Sequence, residues 1–116
     1  MALKTLRPQC KIFGVQSSQT PGMSQLFHHQ SVQMPQKRIS TIADGIAIKK
    51  PSAAMHEHFI SKYVDEIVTV TDDEIAEAIV YLIERVKTIT EGSGAAGFAG
   101  LMHKKLDYGK KVCVLL

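Results

Sequence analysis

The 116-residue sequence lacks any long apolar run. Its hydrophobic stretches extend a few residues at a time, far short of the roughly 20 that a membrane-crossing helix needs, so no membrane span or membrane partner is expected. Cysteine is scarce. Cys10 and Cys113 lie near opposite ends with no C-x-x-C pairing, and reduced thiols in a cytoplasmic protein are expected rather than a disulfide. The opening Met1-Ala2-Leu3-Lys4 is too short and too polar for a secretory leader. There is no basic stripe interleaved with aromatics. The net charge is +3, and the lysines come as scattered doublets, Lys49-Lys50, Lys104-Lys105 and Lys110-Lys111, which read as solvated surface and not as a nucleic-acid interface. No internal repeat or low-complexity segment occurs. With 45% hydrophobic and 22% charged residues, the chain is too apolar for disorder and long enough for one core only.

The pattern along the chain alternates. Lys11–Val15 is a short apolar run leading into the polar stretch Gln16–Gly22, which predicts a buried strand and a loop. A helix is expected over Met23–His29, then an exposed excursion over Gln30–Ser40. Pro51 and Ser52 open a second helix with Met55, Phe59, Ile60, Tyr63 and Val64 on one face. Glu66–Val70 is rich in β-branched residues and reads as a strand. Thr71 and Glu74 then form an S/T-x-x-E capping box, with Val70 and Ile75 placed as a hydrophobic staple and Asp72 and Asp73 on the favourable end of the helix dipole. Ile75, Ile79, Leu82, Ile83 and Val86 make one stripe, and Arg85 and Lys87 suit a helix end, predicting a helix over Asp72–Lys87. A small-residue helix over Ala95–Lys105 and a final strand over Lys111–Leu116 complete an α/β fold, layered, with a largely parallel sheet flanked by helices.

Gly92, Gly94 and Gly97 spell G-x-G-x-x-G within "EGSGAAGFAG". A dinucleotide fingerprint needs a strand directly before its first glycine and an acidic residue closing the next strand. Here a well-capped helix ends just before the motif, Ile89 alone separates Thr88 from Thr90, and Asp107 falls in the turn before the last strand. The spacing therefore reads as coincidence. Two readings of Glu91 stay open on spacing alone. It either orients a cofactor or substrate brought close by the small residues, or caps a helix whose glycines allow tight packing.

"TIADGIAIKKPS", "KYVDEIVTVTDDEIAEAIVYLIERVKTITEGSGAAG" and "KKVCVLL", with the opening "ALKTLRPQCKIFGVQSSQTPGM", together resemble the catabolic threonine dehydratases. These are threonine ammonia-lyases of pyridoxal-phosphate fold type II, with serine dehydratases and serine racemases as relatives. The resemblance covers essentially the whole chain. It implies that residues 1–116 are part of a large, cofactor-binding catalytic domain. It also implies that Ala43, Asp44 and Gly45 form a backbone wall on one face of pyridoxal 5′-phosphate, and that Glu91 approaches cofactor and substrate. The implied chemistry is loss of water and ammonia from threonine or serine, giving 2-oxobutyrate or pyruvate.

Three family parts do not occur in this sequence: the S-x-K-x-R-G-A segment with the Schiff-base lysine, the tetraglycine phosphate loop, and the S-G-G-N segment. Lys62 follows Ser61, but at the wrong spacing and on an amphipathic helix. The expectation is therefore a later half of the domain, cut at both ends, with no catalytic lysine and no activity alone. It would associate with the missing half or with itself. Relatives that bind a divalent cation carry two acidic ligands where this chain has Gln16 and Gly22, so no metal site is expected. His28-His29 and His56-x-His58 lack the spacing of a shared helix face. A non-catalytic interaction protein docking on a full-length dehydratase is the competing reading, and a nucleotide-binding module rests on the glycine spacing only.

Overall fold

The computed structural model describes residues 1–36, 38–104, 106 and 108–116. The placement of Asp107 in a turn and the Lys105 end of the last helix lie outside the described residues.

Strands β1 (Phe13–Ser17) and β2 (Glu66–Val70) pair in parallel, Phe13 opposite Glu66 through Ser17 opposite Val70. β2 stands where its β-branched run predicts. β1 starts two residues later than its apolar run because its partner sets the register. The Asp65 amide donates to the Ile12 carbonyl at 2.8 Å and the Ile12 amide to Asp65 Oδ2 at 2.7 Å, so pairing begins after Ile12. Lys4, on the short helix α1 (Ala2–Leu6), binds the same carboxylate at 2.7 Å. These two partners, Lys4 foremost, hold the Asp65 carboxyl below its ordinary range.

The connection from β1 to β2 carries two helices. In α2 (Gly22–Phe27) the first residue is a glycine against Pro51, whose Cδ lies 2.9 Å from where a Cβ would stand. A residue in the left-handed region, His29, follows its end. Residues 30–36 and 38–40 form no regular structure and are mostly exposed. Helix α3 (53–63) is capped by Ser52, whose Oγ accepts from the Met55 amide at 3.3 Å, and widens to a π-helix over His56–Ile60. Its apolar face is only partly covered: Ile60, Tyr63 and Val64 are half-buried, while Met55 is 48% and Phe59 45% exposed.

After β2 the capping box forms in full. The Glu74 amide donates to Thr71 Oγ1 at 3.2 Å, and the Thr71 amide to Glu74 Oε2 at 2.8 Å. Val70 and Ile75 are both completely buried, as a staple requires. Helix α4 (72–86) is α-helical over Asp72–Tyr81 and π-helical over Leu82–Val86. It stops at Lys87, whose φ of 61° turns the chain so that the amides of Lys87 and Thr88 both donate to the Leu82 carbonyl. Of the predicted stripe, Ile75 and Leu82 are buried and Ile79 packs on the core, while Ile83 and Val86 remain exposed.

Helix α5 (Gly92–His103) starts three residues before the predicted Ala95. It lies against α4 and both strands, so that Ala95, Ala96 and Ala99 join Val70, Ile75, Ala78, Leu82 and Ala43 in one core. Small residues set the separation: a Cβ on Gly100 would stand 2.7 Å from Val15 Cγ2. Tyr108 closes the helix end, its hydroxyl donating to the Gly100 and Lys104 carbonyls at 2.9 and 3.0 Å.

The predicted strand over Lys111–Leu116 does not form. A strand exists by its ladder of neighbours, and this segment runs past the glycines of α5 instead, with Val114 and Leu115 beside Gly97 and Leu116 beside Gly94. Among the described residues the sheet is two-stranded and parallel. Both cysteines are free thiols, and no helix among the described residues is long and apolar enough to cross a membrane.

Candidate cofactor site

The Thr41–Gly45 segment meets the start of α5 just beyond the carboxyl ends of the two strands. Asp44–Ile46 is a single 3₁₀ turn, closed by the Ile46 amide donating to the Ala43 carbonyl at 3.2 Å. Ahead of it the chain is tied to α4. The Thr41 hydroxyl donates to Asp72 Oδ1 at 2.5 Å, and the Ile42 amide donates to Asp72 Oδ2 at 3.2 Å. The Ala43 amide donates back to Thr41 Oγ1 at 3.1 Å, and Ser17 Oγ, at the end of β1, lies 3.5 Å from the same oxygen. Ala43 is fully buried, whereas Asp44 and Gly45 are exposed.

The other side is the first turn of α5. Gly92 is fitted under the Ile42 carbonyl, which any Cβ at that position would strike. A Cβ on Gly45 would stand 2.8 Å from Ser93 Oγ, 3.3 Å from Ser93 Cβ and 3.6 Å from Glu91 Oε1. Ala43, Asp44, Gly45 and Glu91, which the resemblance groups together, are thus neighbours in space. Gly45 has an immediate steric reason to be glycine in Ser93, a residue sequence reasoning passed over because a serine among glycines and alanines carries no pattern of its own.

Glu91 occupies the N-cap position, but its side chain caps nothing. The capping interpretation of this residue is therefore corrected: its carboxylate is exposed beside Gly45 and, among the described residues, has no hydrogen-bond partner. Ser93 Oγ is shut away from solvent and has no hydrogen-bond partner among the described residues. The glycines of the G-x-G-x-x-G spacing serve packing. Gly92 abuts Ile42, Gly94 abuts Thr90 and Leu116, and Gly97 abuts Val114 and Leu115. No strand precedes Gly92, so the arrangement that cradles a pyrophosphate is not built here.

Elsewhere, Gln16 Oε1 accepts from the Ser24 amide at 2.9 Å. His28 sits between the Ser24 carbonyl and Glu66 Oε1, 2.7 Å from each. Among the described residues no three His, Cys, Asp or Glu side chains converge as metal ligands would. Lys62 is exposed on α3.

Known proteins resemble this chain along its whole length. The family model described as pyridoxal-phosphate dependent enzyme matches residues 1–116. The L-threonine ammonia-lyase of Thermotoga maritima is 39% identical over 116 residues, covering 100% of this chain and 28% of that protein. The catabolic L-threonine dehydratase TdcB of Escherichia coli K12 is 36% identical over 107 residues, 92% of this chain and 32% of its own length. The solved T.th. threonine deaminase shares the fold with a TM-score of 0.76 at 25% identity, over 88% of this chain and 37% of that one. The chain thus spans 28% and 32% of the length of these two curated relatives. With a parallel α/β core and every residue inside the matched region, the chain belongs to the pyridoxal-phosphate dependent enzyme family.

Proposed function

We propose that residues 1–116 are part of the large, cofactor-binding domain of an ammonia-lyase acting on threonine or serine, with Ala43, Asp44, Gly45 and Glu91 lining the cofactor. The observation that carries this reading is the meeting of the Ala43–Gly45 backbone with the uncommitted Glu91 carboxylate at the start of α5. The residues present suit an organic ring bearing polar groups. Gly45 offers backbone without a side chain, Ser93 has a buried hydroxyl still to be satisfied, and Glu91 has a carboxylate that the helix does not use. Pyridoxal phosphate, when bound, supplies an electron sink for loss of water from the amino acid. Around it, Ala43–Gly45 would support one ring face, and Glu91 would orient polar hydrogens or accept a proton at its Oε atoms.

The chain alone is expected to be inactive, because the lysine segment, phosphate loop and S-G-G-N segment do not occur in these residues. In this reading they are supplied by polypeptide outside them. Each positioned catalytic group typically contributes about 10²–10⁴-fold in rate, so losing several leaves nothing measurable. The test is incubation with pyridoxal phosphate and threonine, following 2-oxobutyrate against a cofactor-only control. Turnover above that control, abolished by replacing one lysine, refutes the assignment. Restored activity on adding the missing segments of a catabolic dehydratase supports it. A second reading, a non-catalytic module docking on a full-length dehydratase or on itself, draws on the uncovered apolar residues of α3 and α4. Sedimentation of the chain with and without a purified catabolic dehydratase separates the two.

A further inference from the structure

We propose that Asp72 is a positioning residue for this site, holding the Ala43–Gly45 wall against the start of α5 by way of Thr41 and Ile42. The inference rests on the reading of that wall as the cofactor's. Asp72 is the first residue of α4, so the Thr71–Glu74 capping box that spans it fixes its place. Its two carboxylate oxygens take different donors from adjacent residues, the Thr41 hydroxyl and the Ile42 amide. Thr41 Oγ1 in turn accepts the Ala43 amide. Three consecutive residues leading into Asp44 and Gly45 therefore hang, directly or through one hydroxyl, on a single side chain. A carboxylate is an acceptor with two oxygens and can serve two donors approaching from one side. The linked bonds polarise one another.

The segment has little else to place it. Ile42 is 47% exposed and Asp44 and Gly45 are exposed, leaving Ala43 as the buried anchor of the segment, with Ile46 beyond it packed on the core. On the far side the Ile42 carbonyl rests on the bare Cα of Gly92. The wall is gripped between the first turns of α4 and α5, and Asp72 supplies the polar half of that grip. Asp73 provides a matched control within the molecule. It has the same charge on the same helical turn, and among the described residues it takes no hydrogen bond from the loop.

The experiment measures two quantities: amide hydrogen exchange at Ile42 and Ala43 in the chain, and, with the missing segments of a catabolic dehydratase added back, the affinity for pyridoxamine 5′-phosphate, which cannot form imines with surface lysines. Asp72→Ala is expected to speed exchange at both amides and to weaken ligand affinity, each by about tenfold or more, as loss of a charge-assisted hydrogen bond implies. Asp73→Ala does neither. Asp72→Asn can accept from the Ile42 amide and donate to Thr41 Oγ1, and is expected to restore most of both. Thr41→Val breaks the same link without touching α4, and decides the matter should Asp72→Ala fail to fold. Unchanged exchange in Asp72→Ala, or in Thr41→Val where it stands in, overturns the inference and leaves the cofactor reading intact. Faster exchange with unchanged affinity overturns it as well. A reassembled protein that binds no pyridoxamine phosphate before any substitution removes the reading and the inference together.

Discussion

Replacing Gly45 by alanine tests the contact between the wall and α5 in isolation. No described glycine has a positive φ, so alanine meets no backbone strain there, and its smaller unfolded-state entropy alone would stabilise by about 0.4–1 kcal/mol. Against that, the new methyl group would lie 2.8 Å from Ser93 Oγ and 3.3 Å from Ser93 Cβ. The hydroxyl has no partner to hold it and can rotate aside, but the Cβ cannot. Crowding of this kind costs about 1–3 kcal/mol, so the net expectation is a loss of ~1 kcal/mol, a change of about fivefold in the folding equilibrium. Ser93→Gly removes both offending atoms. In that background Gly45→Ala should become neutral or stabilising, giving a coupling energy of about 1–2 kcal/mol in the four-protein cycle. Urea unfolding followed by circular dichroism supplies the four midpoints. Strict additivity would show that Gly45 and Ser93 do not touch, and the proposed site geometry would fall with that contact. Gly45→Val, bulkier still, is expected also to weaken pyridoxamine phosphate binding once the missing segments are added back.

Three further outcomes are expected. Burial alone would raise the Glu74 carboxyl, but the Lys104 ammonium at 2.6 Å and the Thr71 amide outweigh it and hold it below its ordinary 4.5. Its stabilising contribution is therefore full above pH 4.5 and is lost as pH falls through the lowered value; urea midpoints measured down that range should decline less steeply in Glu74→Gln, and an identical slope refutes the assignment. Gly92→Ala sets a methyl group against the Ile42 carbonyl, a backbone atom that cannot rotate away, so a loss of at least about 3 kcal/mol in urea stability is expected, and a wild-type midpoint would count against the docking of the two segments. The uncovered strand edges and the exposed faces of α3 and α4 should drive self-association, and sedimentation at micromolar concentration giving a compact monomer would contradict this.

Legibility in the sequence followed the range of the forces involved. The β2–α4 junction could be read residue by residue because a capping box, a staple and a β-branched run all act within a few positions. Lys111–Leu116 has the composition of a strand, but composition says nothing of whether a neighbour is there to pair with it. The apolar periodicity of α3 was visible, though its exposure was not, since what covers a face is decided elsewhere in the chain. The glycines near Gly92 show the same limit. Their spacing is local, while their purposes are set by Ile42, Leu116 and Val114. Within the candidate site, Ala43, Asp44, Gly45 and Glu91 were reached by resemblance; the tie from Thr41 to Asp72 has no local pattern, because it joins residues 31 positions apart.

The parallel pairing of β1 with β2 also favours one order of assembly over others. Ile12 and Asp65, which open the ladder, are 53 positions apart, and closing a loop of that length costs about 3.5 kcal/mol of chain entropy beyond a constant. From Glu66 to His103, by contrast, strand, capped helix and alanine-rich helix follow one another and bury most of the core among themselves. That hairpin of helices can collapse first and offer β2 as a template, and β1 joins late. The Thr41–Gly45 segment lies inside the loop that β1 closes, so the candidate site is expected to be among the last parts of the molecule to take shape.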